Sequence, residues 1–257
     1  MVRFVVSLLI GAFLTAPVAL AQDQEVPAID PRAEEIAMNM ANYLASQPRL
    51  SFDWFVSYDE IVEEVEKITY IHSGTMVLER DEGFVAQTEY GNTYRDFYFD
   101  GKIFTVASQN EDFYASMEIT GGFETLGVIV RERADSVVPL WSLVSRELPG
   151  KIMDKVDGGA YLGTTLVAGQ AVHHLSFSQP DYDWQIWVSM DEETPLPVML
   201  IGTEHGKIGW PQYRAYFSDW NMEPDITEGQ FTYQPEEGDI KMSFPAHSAR
   251  AADNQSE

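Results

Sequence analysis

Residues 161–178 read YLGTTLVAGQAVHHLSFS, and their reading decides the fold class. Two runs of strand character, Tyr161–Val167 and Gln170–Ser178, flank Ala168-Gly169, the signature of a tight hairpin turn. Downstream the pattern repeats in Trp184–Met190, Val198–Thr203 and Gln212–Trp220, with Pro, Gly and acidic clusters between the runs. Phe231–Tyr233 reads as a last edge segment. Upstream, Ser51–Tyr58 alternates strictly, placing Phe52, Trp54, Val56 and Tyr58 on one face. Ile68–Leu78, Phe84–Tyr90, Asp96–Phe99, Ile103–Ser108 and Phe113–Ile119 continue in the same style. Within them Ser73-Gly74-Thr75 predicts a bend or bulge, and Asp100-Gly101 predicts a two-residue turn.

Helical periodicity enters at two places. Asp30-Pro31 supplies an N-cap and a first-turn proline, after which Ile36, Met40, Tyr43 and Leu44 make one apolar stripe ended by Pro48. Between the two strand groups, Phe123–Arg133 and Val137–Leu148 carry Leu126, Ile129 and Val130, then Leu140, Trp141 and Val144, at helical spacing. Several strands are apolar on both faces, as Phe55 beside Val56 and Trp187 beside Ile186 show, so one face needs a cover. The expected fold class is α+β: about 11 strand runs read as one antiparallel sheet, with the helices as the cover of one face.

The flanks point to export. Arg3, the apolar run Phe4–Leu14 and the small residues of Ala19-Leu20-Ala21 form a signal-peptide pattern, with cleavage expected after Ala21. The apolar core is shorter than the roughly 20 residues of a spanning helix, and no later segment approaches that length. The expected organisation is therefore a signal peptide at 1–21, one domain at 22–245 and a disordered tail at 246–257. The expected location is the periplasm, with no stable membrane insertion after cleavage.

Composition excludes several classes. Sixteen Lys and Arg stand against 41 Asp and Glu, a net charge of −25, which leaves no cationic footprint for nucleic acid or for an anionic membrane surface. The chain has no cysteine, so disulfides, thiolate metal sites and a Cys nucleophile are all excluded. His173-His174 cannot chelate one metal from a regular strand, because adjacent side chains point to opposite faces. One of the two is expected to hydrogen-bond within the fold while its neighbour faces outward. Asp181, Asp183, Asp191, Glu192 and Glu193 bracket one strand at turn positions, where acidic residues serve the backbone. Ser176 and Ser178 lack a nucleophile elbow, and no phosphate loop is present. No metal, cofactor or catalytic residue is expected.

The stretch from Val172-His173-His174-Leu175 through Trp184-Gln185-Ile186-Trp187-Val188 resembles the signature of the DUF2092 family of predicted periplasmic proteins. Leu196-Pro197, Ser218-Asp219-Trp220-Asn221, Ala28-Ile29-Asp30-Pro31 and Tyr98-Phe99-Asp100-Gly101-Lys102 agree with it, so the resemblance covers essentially the whole mature chain. The order of elements is similar to the LolA-like half-barrel of lipoprotein carriers. The resemblance implies a half-barrel: a single curved antiparallel sheet of about 11 strands whose concave face the helices cover, enclosing an apolar cavity. Near Ala171-Val172 the family often carries a Cys, and this chain does not.

These readings converge on a non-catalytic binder of a lipid or of lipoprotein acyl chains. Strand parity assigns Trp54, Val56, Phe104, Tyr114, Trp141, Leu175, Phe177 and Trp187 to the cavity wall. The alternative is an envelope protein–protein interaction module with a filled core; a hydrolase is a weaker third reading.

Overall fold

A computed structural model of the chain describes residues 28–134 and 140–244. The signal-peptide pattern, the tail and the start of the second insert helix lie outside the described residues. Helix α1 spans Pro31–Ser46, and the Asp30 side chain accepts a hydrogen bond from the Arg32 N–H at 2.8 Å, as a cap should. Its buried stripe is Ala33, Ala37, Met40, Ala41 and Leu44, while Ile36 and Tyr43 sit at the margin. The stripe is turned from the expected one because three alanines let the helix backbone approach its neighbours closely.

Six strands follow as an antiparallel meander: β1 Arg49–Val62, β2 Glu66–Glu79, β3 Gly83–Tyr90, β4 Thr93–Phe99, β5 Ile103–Ser108 and β6 Phe113–Glu118. Helix α2 covers Phe123–Ala134, and two single turns follow, α3 Trp141–Val144 and α4 Leu148–Lys151. The second insert helix is thus broken. The chain leaves helical geometry at Ser145, whose φ and ψ are −67° and 140°, before Pro149 opens a new turn. A second meander holds β7 Gly158–Val167, β8 Gln170–Gln179, β9 Tyr182–Ser189, β10 Pro197–Thr203 and β11 Gln212–Asn221. The last strand is β12, Ile240–Met242, paired parallel to β6. The expected edge segment at Phe231–Tyr233 is instead part of the connection that carries the chain back to that edge.

The sheet order is β12-β6-β5-β4-β3-β2-β1-β11-β10-β9-β8-β7. β1 pairs with β11, so the first and last long strands join the two meanders at the centre. This order explains where the helices lie. β6 and β7 sit near opposite edges, so the chain between them must cross one whole face, and α2–α4 make that crossing. The main core runs from Phe104 on β5 to Phe177 on β8 and packs against α1, α2 and α3, and a smaller cluster of Val172, Trp187 and Val198 stands apart from it. The fold is the open, curved half-barrel expected, with twelve strands and one parallel edge pair. Fully buried Phe52, Leu78, Phe84, Phe99, Phe104, Leu175 and Phe177 each contribute about 1.5–3 kcal/mol.

Two local readings change. At Gly74 the ladder is regular, with Trp54 opposite Gly74 and Gly74 opposite Thr88, so there is no bulge. The glycine is there because a Cβ would lie 2.0 Å from the Gln87 carbonyl oxygen and 2.5 Å from the Trp54 indole. At the β4–β5 turn the tip is Gly101-Lys102, one residue later than expected. Asp100 closes it, its N–H donating to the Ile103 carbonyl and its carboxylate accepting from the Lys102 and Ile103 N–H groups. The Ala168-Gly169 turn is as expected, with φ of 48° and 84°.

Candidate functional site

Alternate residues of β1 through β4 face the helices, and register aligns them in rows. Val56 lies opposite His72, Tyr58 opposite Tyr70 and Tyr213, and Trp54 opposite Gly74, with Thr88 and Arg95 next in line. Over this part of the concave face the described residues of the helices leave a gap, a cavity of about 590 Å³. Its wall comprises Trp54, Val56, Tyr58, His72, Thr88, Tyr90, Thr93, Arg95, Phe97, Leu140 and Tyr213. Most of that surface is hydrocarbon, and the volume lies within the roughly 300–1,000 Å³ of small-molecule sites.

The aromatic side is a run of stacked rings. His72 stacks on Tyr90 with ring centroids 4.5 Å apart and on Tyr58 at 5.3 Å, and Tyr58 stacks on Tyr70 at 5.5 Å. His72 Nε2 lies 3.4 Å from the Tyr58 hydroxyl. Burial holds the His72 pKa below its ordinary value, so the ring is neutral at pH 7. Burial and the neighbouring Tyr182 push the Tyr213 hydroxyl up to about 12. The opposite side is Leu140, which enters α3 with φ 52°. That left-handed conformation costs a leucine roughly 1–2 kcal/mol, so packing must hold it there.

Behind Leu140 the crossing segment is clamped. Trp141 packs on Phe123 at 4.5 Å between centroids, and its indole fills the space where a Cβ of Gly127 would stand. Arg80, only 5% exposed, donates from Nε to the Gln47 carbonyl at 2.7 Å, from Nη1 to Val144 at 2.5 Å and from Nη2 to Leu44 at 2.9 Å. One guanidinium therefore holds the C-terminal ends of α1 and α3 together. Burial lowers its pKa to about 10, which leaves it charged at neutral pH.

Of the residues that parity assigned to the wall, Trp54 and Val56 line this cavity. Phe104, Leu175 and Phe177 face the same side but are fully buried in the core. Trp141 packs on α2, and Tyr114 lies on the convex face against Tyr233. Trp187 also lies on the convex face, stacked on His174 at 4.2 Å. His173 points the other way, to the α1 side, where its Nδ1 lies 3.1 Å from the Tyr161 hydroxyl. The two histidines occupy opposite faces, as a strand requires. Tyr58, His72, Thr88, Tyr90, Arg95, Leu140 and Tyr213 were not assigned to the wall. Parity marks Tyr58 as facing inward, but only the cross-strand register shows that the others share its space.

In overall arrangement the chain is similar to LprF from Mycobacterium bovis, at 11% identity over 78% of this chain and 98% of that one, with a TM-score of 0.48. It is also similar to the lipoprotein LppX from Mycobacterium tuberculosis, at 12% identity over 77% of this chain and 100% of that one, with a TM-score of 0.40. A LolA superfamily protein from Nitrosomonas europaea matches at 10% identity over 78% of this chain and 97% of that one, with a TM-score of 0.33. No curated protein matches the sequence. At the level of sequence families, residues 33–245 match the model of DUF2092, described as predicted periplasmic protein, and the chain belongs to that family.

Proposed function

We propose that this periplasmic protein is a non-catalytic carrier of an apolar chain, a lipid or the acyl group of a lipoprotein, held beneath Leu140. The observation that carries the reading is the 590 Å³ cavity walled by Trp54, Val56, Tyr58, Phe97 and Tyr213 on the concave face. Burying about 15 methylenes there contributes ~12 kcal/mol, and an association cost of ~4 kcal/mol leaves affinity near micromolar. The acidic residues around β9 fit a binder better than a hydrolase. Asp191 accepts from the backbone N–H groups of Glu193 and Thr194 at 3.0 and 3.2 Å, the work of a turn residue.

The test is native mass spectrometry, with organic extraction, of protein purified from its own periplasm. A bound lipid of defined mass is expected, and Val56→Trp, which fills the cavity, should abolish it while circular dichroism is unchanged. An empty protein that also fails to take up a fluorescent fatty acid would refute the carrier reading.

A further inference from the structure

The cavity wall is not uniformly apolar. One row of cross-strand partners, Trp54, Gly74, Thr88 and Arg95, runs across β1 to β4 on the concave face. Trp54 is 6% exposed, and among the described residues its indole Nε1 has no hydrogen-bond partner; Thr88 Oγ1, two strands away, is buried and equally unpartnered. Buried polar atoms without partners are rare in folded proteins, and two in one row of a cavity wall call for an acceptor. Arg95 ends the row. It lines the same cavity, its side chain is exposed, and among the described residues it makes no ion pair. In a chain with 41 acidic residues and 16 basic ones, an unpaired guanidinium at a cavity is not explained by a shortage of carboxylates.

We infer that this row receives the head group of an amphiphile bearing an oxyacid anion, a carboxylate or a phosphate. The inference rests on the carrier reading of the same cavity and adds the ligand's chemistry and orientation. The anion sits at Arg95, whose planar fork can donate two parallel hydrogen bonds to it. The donors of Thr88 and Trp54 are closed to solvent, so they turn toward oxygens of the head or its linkage as it binds, and the hydrocarbon runs over Val56, Tyr58 and Tyr213. Among the described residues Arg95 is the only permanently charged one on the cavity wall, and it is the group that selects for charge. The net charge of −25 keeps anions from adsorbing elsewhere, which confines the selection to this place.

The experiment uses displacement of the neutral fluorescent probe N-phenyl-1-naphthylamine by three ligands with the same 18-carbon monounsaturated chain. They are oleate, oleyl alcohol and lysophosphatidate. Wild-type protein should prefer at least one of the two anions over the alcohol by about tenfold, the scale of a charge-assisted hydrogen bond. Whichever anion is the tighter assigns the head as carboxylate or phosphate. Arg95→Met should erase the preference by weakening the anions far more than oleyl alcohol, with the melting temperature unchanged. Thr88→Val should narrow the preference by a smaller factor. If all three ligands bind wild type and Arg95→Met alike, the inference is overturned while the carrier reading stands. If none displaces the probe, the carrier reading itself fails.

Discussion

Replacing Arg80 by methionine keeps most of the side-chain volume and removes the three hydrogen bonds that join α1, the α1–β1 turn and α3. The Leu44 carbonyl would still accept from the Gln47 N–H at 3.3 Å, so two carbonyls, Gln47 and Val144, would lose their donor. Each orphaned buried carbonyl costs ~1–3 kcal/mol. Relief of the guanidinium's desolvation offsets part of that. The expected loss is about 3 kcal/mol, or roughly 6–12 °C in melting temperature for a domain of this size. Urea unfolding followed by tryptophan fluorescence and scanning calorimetry would both read it. Arg80→Lys should recover only part of the loss, because an ammonium cannot reach three carbonyls in a fixed plane. Since α3 begins next to Leu140, probe release from the cavity should also quicken in both variants. A loss under 1 kcal/mol, or a lysine variant as stable as wild type, would refute the clamp.

Three further outcomes are expected. Gly74→Ala should destabilise by about 1–3 kcal/mol, because its Cβ collides with the Gln87 carbonyl and the Trp54 ring. Strand propensity alone predicts a gain, so the sign of the change in urea midpoint decides between them. Asp59 is buried, which raises its pKa, but hydrogen bonds from Thr69, Arg214 and the Gln212 N–H outweigh this and hold the pKa below the usual value. Its stabilisation is therefore present above the unfolded pKa of about 3.9 and is lost as pH falls through the folded value; Asp59→Asn should flatten that acid limb of the stability–pH curve. Asp30→Ala removes the α1 cap and should cost about 1 kcal/mol, read in the same urea titration.

Much of this architecture is legible in the sequence, because it depends on short-range rules. Period-two alternation placed Phe52, Trp54, Val56, Leu175 and Phe177 on the inner face, and the turn residues at Ala168-Gly169 located a hairpin. The opposite facing of His173 and His174 follows from strand geometry alone. The Asp30 cap and Pro31 marked where α1 begins for equally local reasons. Local patterns failed where the signal had more than one cause. Gly74 reads as a bulge in sequence, and only the approach of Trp54 and Gln87 reveals it as a space kept empty.

Tertiary structure alone decided the pairing of β1 with β11, the return of the C-terminal segment to β6, and the cavity itself. Strand parity could say that Trp54 and Phe177 face inward, but not that one borders a gap and the other is sealed in the core. A cavity is a small difference between the surface a sheet offers and the area its helices cover. That difference is set by contacts between residues far apart in the chain, such as Arg80 with Val144 and the Trp54 ring with Gly74, and no local periodicity encodes it.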